Sequence, residues 1–243
     1  IDAGISIRTI KKVLKDRSVD MSQIMGVLVT HDHADHIKTV GYLGEKLNIP
    51  VFSTEGVHQG IAKSRYVEET LCSSKRIIEK EKPFKIKDFE ITAFPVPHDS
   101  TDSVGFHIVF GDQRFTIATD MGHITDTVGK YIGMANHLVL EANYDEEMLK
   151  FGTYPQFLKE RVASPTGHLS NREAAEFLAT HYIPELKDIW LCHLSRDNNH
   201  PELAYKTVDI RLFEEGIRVG KDVQLVALKR TTPSDVYEFD AEI

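Results

Sequence analysis

Thr30-His31-Asp32-His33-Ala34-Asp35-His36-Ile37 decides how this chain is read, because six consecutive positions in it carry three imidazoles and two carboxylates. The apolar run Ile24-Met25-Gly26-Val27-Leu28-Val29 comes directly before it and reads as a buried strand. The polar segment therefore falls where a strand ends and a helix begins. In its extended part alternate side chains share a face, so His31 and His33 point the same way, and the first helical turn brings Asp35 and His36 toward the same space. Two imidazoles for one cation, with a carboxylate and an imidazole for a neighbouring one, is the natural outcome. A merely solvated, charged helix cap is the bland alternative, and it leaves the density of ligand types unexplained.

The rest of the composition bounds the class. A chain of 243 residues buries a substantial core and is most simply one domain spanning 1–243. Hydrophobic residues at 41% and charged residues at 27% are ordinary for a globular protein. No apolar run approaches the roughly 18 to 20 residues that span a bilayer, and no signal-peptide pattern opens the chain. With only Cys72 and Cys192, no disulfide framework is expected, and the default address is cytoplasmic. A net charge of −8 argues against a broadly basic nucleic-acid-binding surface. It leaves room for an enzyme that grips phosphate through bound cations. Twelve histidines are many for this length, and some should be ligands.

Periodicity predicts helices over 6–17, 36–47, 54–63, 124–135, 145–150, 170–182 and 201–215. It predicts strands over 24–29, 50–53, 89–94, 104–110, 114–118, 137–141, 189–192, 223–228 and 236–239. The charged segment 64–82 reads as a surface excursion. Strands, then helices, then strands suggest an α/β protein with stacked sheets and helices outside. His98, Asp120 and His193 each stand at or just past a predicted strand end, the rim position a metal site requires.

The 31–36 segment resembles the HxHxDH signature of the metallo-β-lactamase fold superfamily. The resemblance implies an α/β fold of the αββα sandwich type with a two-metal hydrolytic site at one edge. In that fold a Gly-rich strand pair precedes an IDAG-like segment. A chain opening at Ile1-Asp2-Ala3-Gly4 without Met is therefore expected to lack those first N-terminal strands. The Asp of that opening turn supports ligand orientation in the family, which makes Asp2 a candidate for that role, a plain turn Asp being the alternative.

By the same resemblance, His31, His33 and His98 bind one ion, Asp35, His36 and His193 bind the other, and Asp120 bridges them. Two divalent cations about 3.5 to 4 Å apart lower the pKa of a shared water to near neutrality and neutralise the oxyanion under attack. Asp35 would both ligate and orient the hydroxide. Zinc suits the nitrogen-rich set best, and the carboxylates also allow manganese or iron.

Fold does not give substrate. The succession Glu141-Ala142-Asn143-Tyr144-Asp145, Gly167-His168-Leu169-Ser170-Asn171 and His193-Leu194-Ser195-Arg196-Asp197-Asn198-Asn199 resembles the YycJ-like metallohydrolases, also called WalJ or VicX. These are regarded as exonucleases acting on DNA, so the resemblance implies a DNA substrate. Tyr144 stands where the family's ESNHD-like segment often has His. Glu141 and His168 match a pair that, in tRNA-processing phosphodiesterases of the superfamily, handles the leaving-group proton. The structural alternative for His168 is a neighbour of the Ser170 helix cap. Lys159, Arg161, Arg172 and Arg196 could receive phosphates or form a solvated face. Of the remaining histidines, His123 is the best further candidate because it follows Asp120 so closely. The competing function is hydrolysis of a small phosphodiester, lactone or thioester on the same metal centre; RNA also stays open as a substrate.

Overall fold

The structure, a computed structural model, describes residues 1–241 and clusters into two compact units. The first comprises Ile1–Lys87 with Asp99–Val104. Ser6 caps its opening helix α1 (Ile7–Asp16) by accepting the Thr9 amide at 3.2 Å. The half-buried Ile7 and Ile10 pack against a cluster that includes Val29, Ile37, Val40, Val51 and Val57. Strands β1 (Val27–Leu28), β2 (Val51–Ser53) and β3 (Lys75–Ile77) pair in parallel in that order. β1 is shorter than the apolar run, because a capping box from Asp20 and Gln23 closes a 3-10 turn over Met21–Gln23 and takes Ile24 as its C-cap.

One expectation is refined in this unit and one fails. The helix expected over 36–47 forms, as α2 (Ala34–Ile37), two turn residues and a helical run to Leu47 that is π-helical over Tyr42–Lys46, and Asn48 at φ 54° follows it. The segment expected as a surface excursion contributes β3, whose entry is held by Glu45. Its carboxylate accepts from Ser74 Oγ at 2.6 Å, the Cys72 amide at 2.9 Å and Ser73 Oγ at 3.0 Å. A three-residue edge strand exposing two of its residues has no burial period to read. Helix α3 (Glu55–Lys63) starts as expected at Thr54, and β4 (Phe84–Ile86) follows.

The second unit comprises Asp88–His98 and the chain from Gly105 onward. Its strands are β5 (Phe89–Pro95), β6 (Val104–Phe110), β7 (Gln113–Ala118), β8 (His137–Glu141), β9 (Asp188–Cys192) and β10 (Gln224–Ala227), running β10-β9-β8-β7-β6-β5 across the sheet. β6 and β7 form an antiparallel hairpin across Gly111-Asp112, and β7 to β10 are parallel. Helices α4 (Asp126–Ile132), α5 (Glu146–Phe151), α6 (Gln156–Val162), α7 (Asn171–Thr180) and α8 (Pro201–Glu214) complete it. Leu138, Leu140, Ile189, Leu191 and Leu225 share one core with Val128, Leu178, Val208 and Leu212.

The strand expected at 236–239 does not form; Tyr237 and Phe239 instead set their rings 4.9 and 6.0 Å from Trp190. Aromatic contact can hold such a segment without a ladder. Parallel pairing aligns Ala118, Leu140, Leu191 and Ala227 in one row, so the C-terminal ends of β7, β8, β9 and β10 open on a single rim. Among the described residues, no helix is long and apolar enough to cross a membrane.

Candidate metal centre

In the first unit, the strand-to-helix junction does what its spacing predicts. His33 is the extended N-cap of α2, His31 is buried before it, and Asp35 and His36 lie in the helical turn. The His31 ring centroid lies 4.7 Å from that of His33 and 4.1 Å from that of His36, and Asp35 Oδ2 is 3.8 Å from His36 Nε2. Asp2 proves to be an orienting group. Its Oδ1 accepts the Thr30 amide at 2.8 Å, and its Oδ2 accepts from Thr30 Oγ1 at 2.9 Å and from His36 Nδ1 at 2.8 Å. That bond fixes the His36 tautomer and turns Nε2 toward Asp35. A Cβ on Gly4 would sit 1.4 Å from the Asp35 carbonyl oxygen, so only glycine lets the opening turn pass so close behind the ligand-bearing helix.

In the second unit, His98 follows β5, Asp120 follows β7, Glu141 ends β8, and His193 follows β9. His98 Nδ1 donates to the Gly167 carbonyl at 3.1 Å, while its Nε2 is 3.8 Å from Asp120 Oδ1. His193 Nε2 is 3.4 Å from the same oxygen. Asp120 and His193 have φ of 57° and 55°, left-handed conformations that non-glycine residues rarely adopt. Each breaks its strand at the rim where its side chain is needed.

Glu141 is the centre of this half. It is wholly buried, and its Oε1 accepts from Nδ1 of both His168 at 2.7 Å and His193 at 2.8 Å. Oε2 accepts the amides of Met121 at 2.9 Å and Leu169 at 3.3 Å. Burial pushes its pKa up, but the hydrogen bonds and charges of His168 and His193 outweigh that and hold it at about 2. An ionised Glu141 accepts only, so both imidazoles carry their proton on Nδ1 and present Nε2 outward. The sequence paired Glu141 with His168 alone; that it also braces His193, fifty-two positions on, is a tertiary fact.

Ligand atoms of Asp120, Glu141, His168 and His193 lie within 4.8 Å of one another. Both Glu141 oxygens are already engaged, which suits it to orienting ligands rather than to binding an ion. The donor chemistry of these clusters of described residues, imidazole nitrogens with carboxylate oxygens, fits divalent metal ions.

In the segments that carry the family resemblance, the asparagines form scaffolding for this half. Asn171 and Asn199 exchange amide hydrogen bonds at 2.9 and 2.8 Å, and Asn199 Nδ2 also reaches the Ala142 carbonyl at 2.8 Å. Asn143 Nδ2 donates to the His193 carbonyl at 2.8 Å. Together they tie the ends of β8 and β9 to the start of α7. Tyr144 is buried with Leu149 and Val162, and its backbone bridges to Ser170, so at this position the residue packs. His123 joins none of the ligand clusters found among the described residues; its Nδ1 bonds the Pro165 carbonyl at 2.9 Å.

The beta-lactamase superfamily domain pattern matches residues 1–187. The exodeoxyribonuclease WalJ of Streptococcus pneumoniae serotype 2 is 32% identical over 98% of this chain and 88% of its own length. The exodeoxyribonuclease YycJ of Bacillus anthracis is 33% identical over 93% and 84%. Among solved structures, the metallo-beta-lactamase fold protein YhfI from Bacillus subtilis aligns with a TM-score of 0.66 at 16% identity, over 93% of this chain and 82% of its own, which speaks for the fold. This chain is a member of the beta-lactamase superfamily, with the metallo-β-lactamase fold, in the branch that holds the YycJ and WalJ proteins.

Proposed function

We propose that this protein is a dinuclear metal-dependent phosphodiesterase that degrades DNA from an end, its 243 residues working as one catalytic domain. The observation that carries the reading is the Glu141 carboxylate shared by two imidazoles with different tasks. His193 turns Nε2 toward Asp120, whereas His168, 20% exposed at its side chain, has an Nε2 with no hydrogen bond among the described residues. His168 is then the group that gives a proton to the departing sugar oxygen, with Glu141 holding the imidazolium in place. A phosphodiester needs that acid. Opening a lactone or a strained lactam does not need it in the same form, which favours phosphodiester cleavage over lactone or thioester hydrolysis. Identity of about a third with two exodeoxyribonucleases along nearly the whole chain supports DNA over a small diester as the substrate.

The proposed ligand set takes His31, His33 and His98 for one ion, Asp35, His36 and His193 for the other, and Asp120 as the bridge. Zinc fits best, with manganese or iron as alternatives. When bound, such a pair supplies Lewis-acid neutralisation of the phosphoryl oxygens and lowers the pKa of the attacking water. Asp35, whose side chain is 74% exposed, orients that water, while Asp2 and Glu141 keep the imidazoles in the tautomer that offers Nε2. The test uses metal-loaded protein with end-labelled duplex DNA and with bis(p-nitrophenyl) phosphate. Stepwise loss of nucleotides from the DNA end is the expected result. Cleavage of the small diester without any cleavage of DNA would overturn the nuclease reading, and inactivity on both would overturn the phosphodiesterase.

A further inference from the structure

An acidic chain that takes a polyanion needs cations where the strand runs on past the reacting phosphate. Three of the four cations near the motifs have partners of their own. Lys159 Nζ donates to the Lys150 carbonyl at 2.7 Å, Arg172 is 3.4 Å from Glu146, and Arg161 is also engaged. Arg196 is different. It is exposed, stands three positions after His193, and makes no hydrogen bond or ion pair among the described residues.

The parallel register brings two more cations to the same rim. Ala227 of β10 pairs with Leu191 of β9, and the Leu228 amide still bonds the Leu191 carbonyl at 2.8 Å. Lys229 and His193 therefore each stand two residues past that last pair, at the same end of the sheet. Arg230 follows, and its guanidinium donates to the Leu194 carbonyl at 3.4 Å, next to the proposed ligand. Neither Lys229 nor Arg230 is in an ion pair among the described residues. The carboxylates close by in sequence are Asp197, which receives Tyr154 Oη at 3.3 Å, and Asp235, and neither is in an ion pair with these cations among the described residues. The rim thus carries Asp120 and Glu141 at the ends of β7 and β8, and three cations that form no ion pair among the described residues past the ends of β9 and β10.

We propose that Arg196, Lys229 and Arg230 form a phosphate-binding rim beside His193 that receives the backbone of the DNA strand next to the phosphate being cut. Phosphates recur about every 3.4 Å of helix axis along one strand, so cations carried just past the ends of β9 and β10 would meet phosphates that follow closely on the one being cut. Guanidinium groups suit this contact because they fork onto phosphate oxygens. The proposal rests on the exonuclease reading and names the groups that hold its substrate.

The test compares the wild-type holoenzyme with the triple variant Arg196→Ala, Lys229→Ala, Arg230→Ala, and with a charge-keeping Arg196→Lys, Arg230→Lys. Binding of duplex DNA with phosphorothioate end linkages is followed as a function of salt, alongside KM and kcat on ordinary duplex. Each lost phosphate contact flattens the slope of log K against log salt by about 0.7 to 0.9. The triple variant should therefore lose about two units of slope and show KM raised about ten-fold, with kcat at saturation within about two-fold; the lysine variant should keep most of the slope. If the triple variant fails to fold, the exposed single change Arg196→Gln should still flatten the slope by one such step. A wild type that degrades DNA while the variants match it in slope and KM overturns the rim and leaves the exonuclease reading standing. A wild type that cleaves bis(p-nitrophenyl) phosphate but not DNA overturns both.

Discussion

At the scale of single residues, the protein spends conformational strain to aim side chains. Asp2, Asp120 and His193 all sit at positive φ, near 55°, and all three orient or form the candidate centre. Left-handed backbone costs a residue with a Cβ on the order of 1 kcal/mol, and glycine is spared that cost. Asp120→Gly should thus be more stable than Asp120→Ala by about 1 kcal/mol in urea melts of the chelated protein. Both variants should lose metal-dependent turnover and bound metal, as metal analysis will read; retention of either would remove Asp120 from the bridge. His168→Ala separates proton donation from metal binding. We expect a fall of roughly 10²- to 10⁴-fold on substrates with poor leaving groups, with little change for p-nitrophenolate, while metal content holds. Metal lost in step with activity would make His168 a ligand instead.

Glu45 shows how one side chain builds an element. From the π-helical stretch it gathers the Ser74 hydroxyl and the amides of Cys72 and Ser74, and those bonds hold its carboxyl at about 2 against an ordinary 4.5. A carboxyl whose folded pKa is depressed contributes stability that is fully present above its unfolded value and is lost as pH falls toward the folded one. Glu45→Gln should accordingly be less stable than wild type at pH 7, and the two acid-unfolding curves should converge between about pH 4.5 and 2. A difference independent of pH would mean that packing, not the charged hydrogen bonds, anchors β3. The same element was invisible to periodicity because its stabilising partner lies in another segment.

For the molecule as a whole, the proposed pair of ions links the ligand set to stability. An ion that binds only the folded state at a hundred times its Kd adds roughly 2.7 kcal/mol. At this chain length that corresponds to a Tm rise of roughly 5 to 10 °C per ion. Chelation should lower Tm by that order, and zinc should restore it, with two ions per chain by metal analysis. His33→Ala in one unit and Asp120→Ala in the other should each reduce that stoichiometry if they serve a common centre. Full occupancy in either variant would break the proposed set.

How far the sequence carried differs between the two kinds of information it holds. Local order fixed the ligand turn at 31–36, the capped helices α1, α3 and α7, and the strands β5 to β10, because spacing, caps and alternation act over a few residues. His98, Asp120 and His193 could be placed at strand ends for the same reason. Only the tertiary structure decided that Glu141 braces two imidazoles, that Asn171 and Asn199 lock onto each other, that Tyr237 and Phe239 pack on Trp190 without forming a strand, and that Lys229 leaves β10 at the end of the sheet where His193 leaves β9. Those choices depend on sheet register and on partners tens of positions apart, which no local pattern encodes.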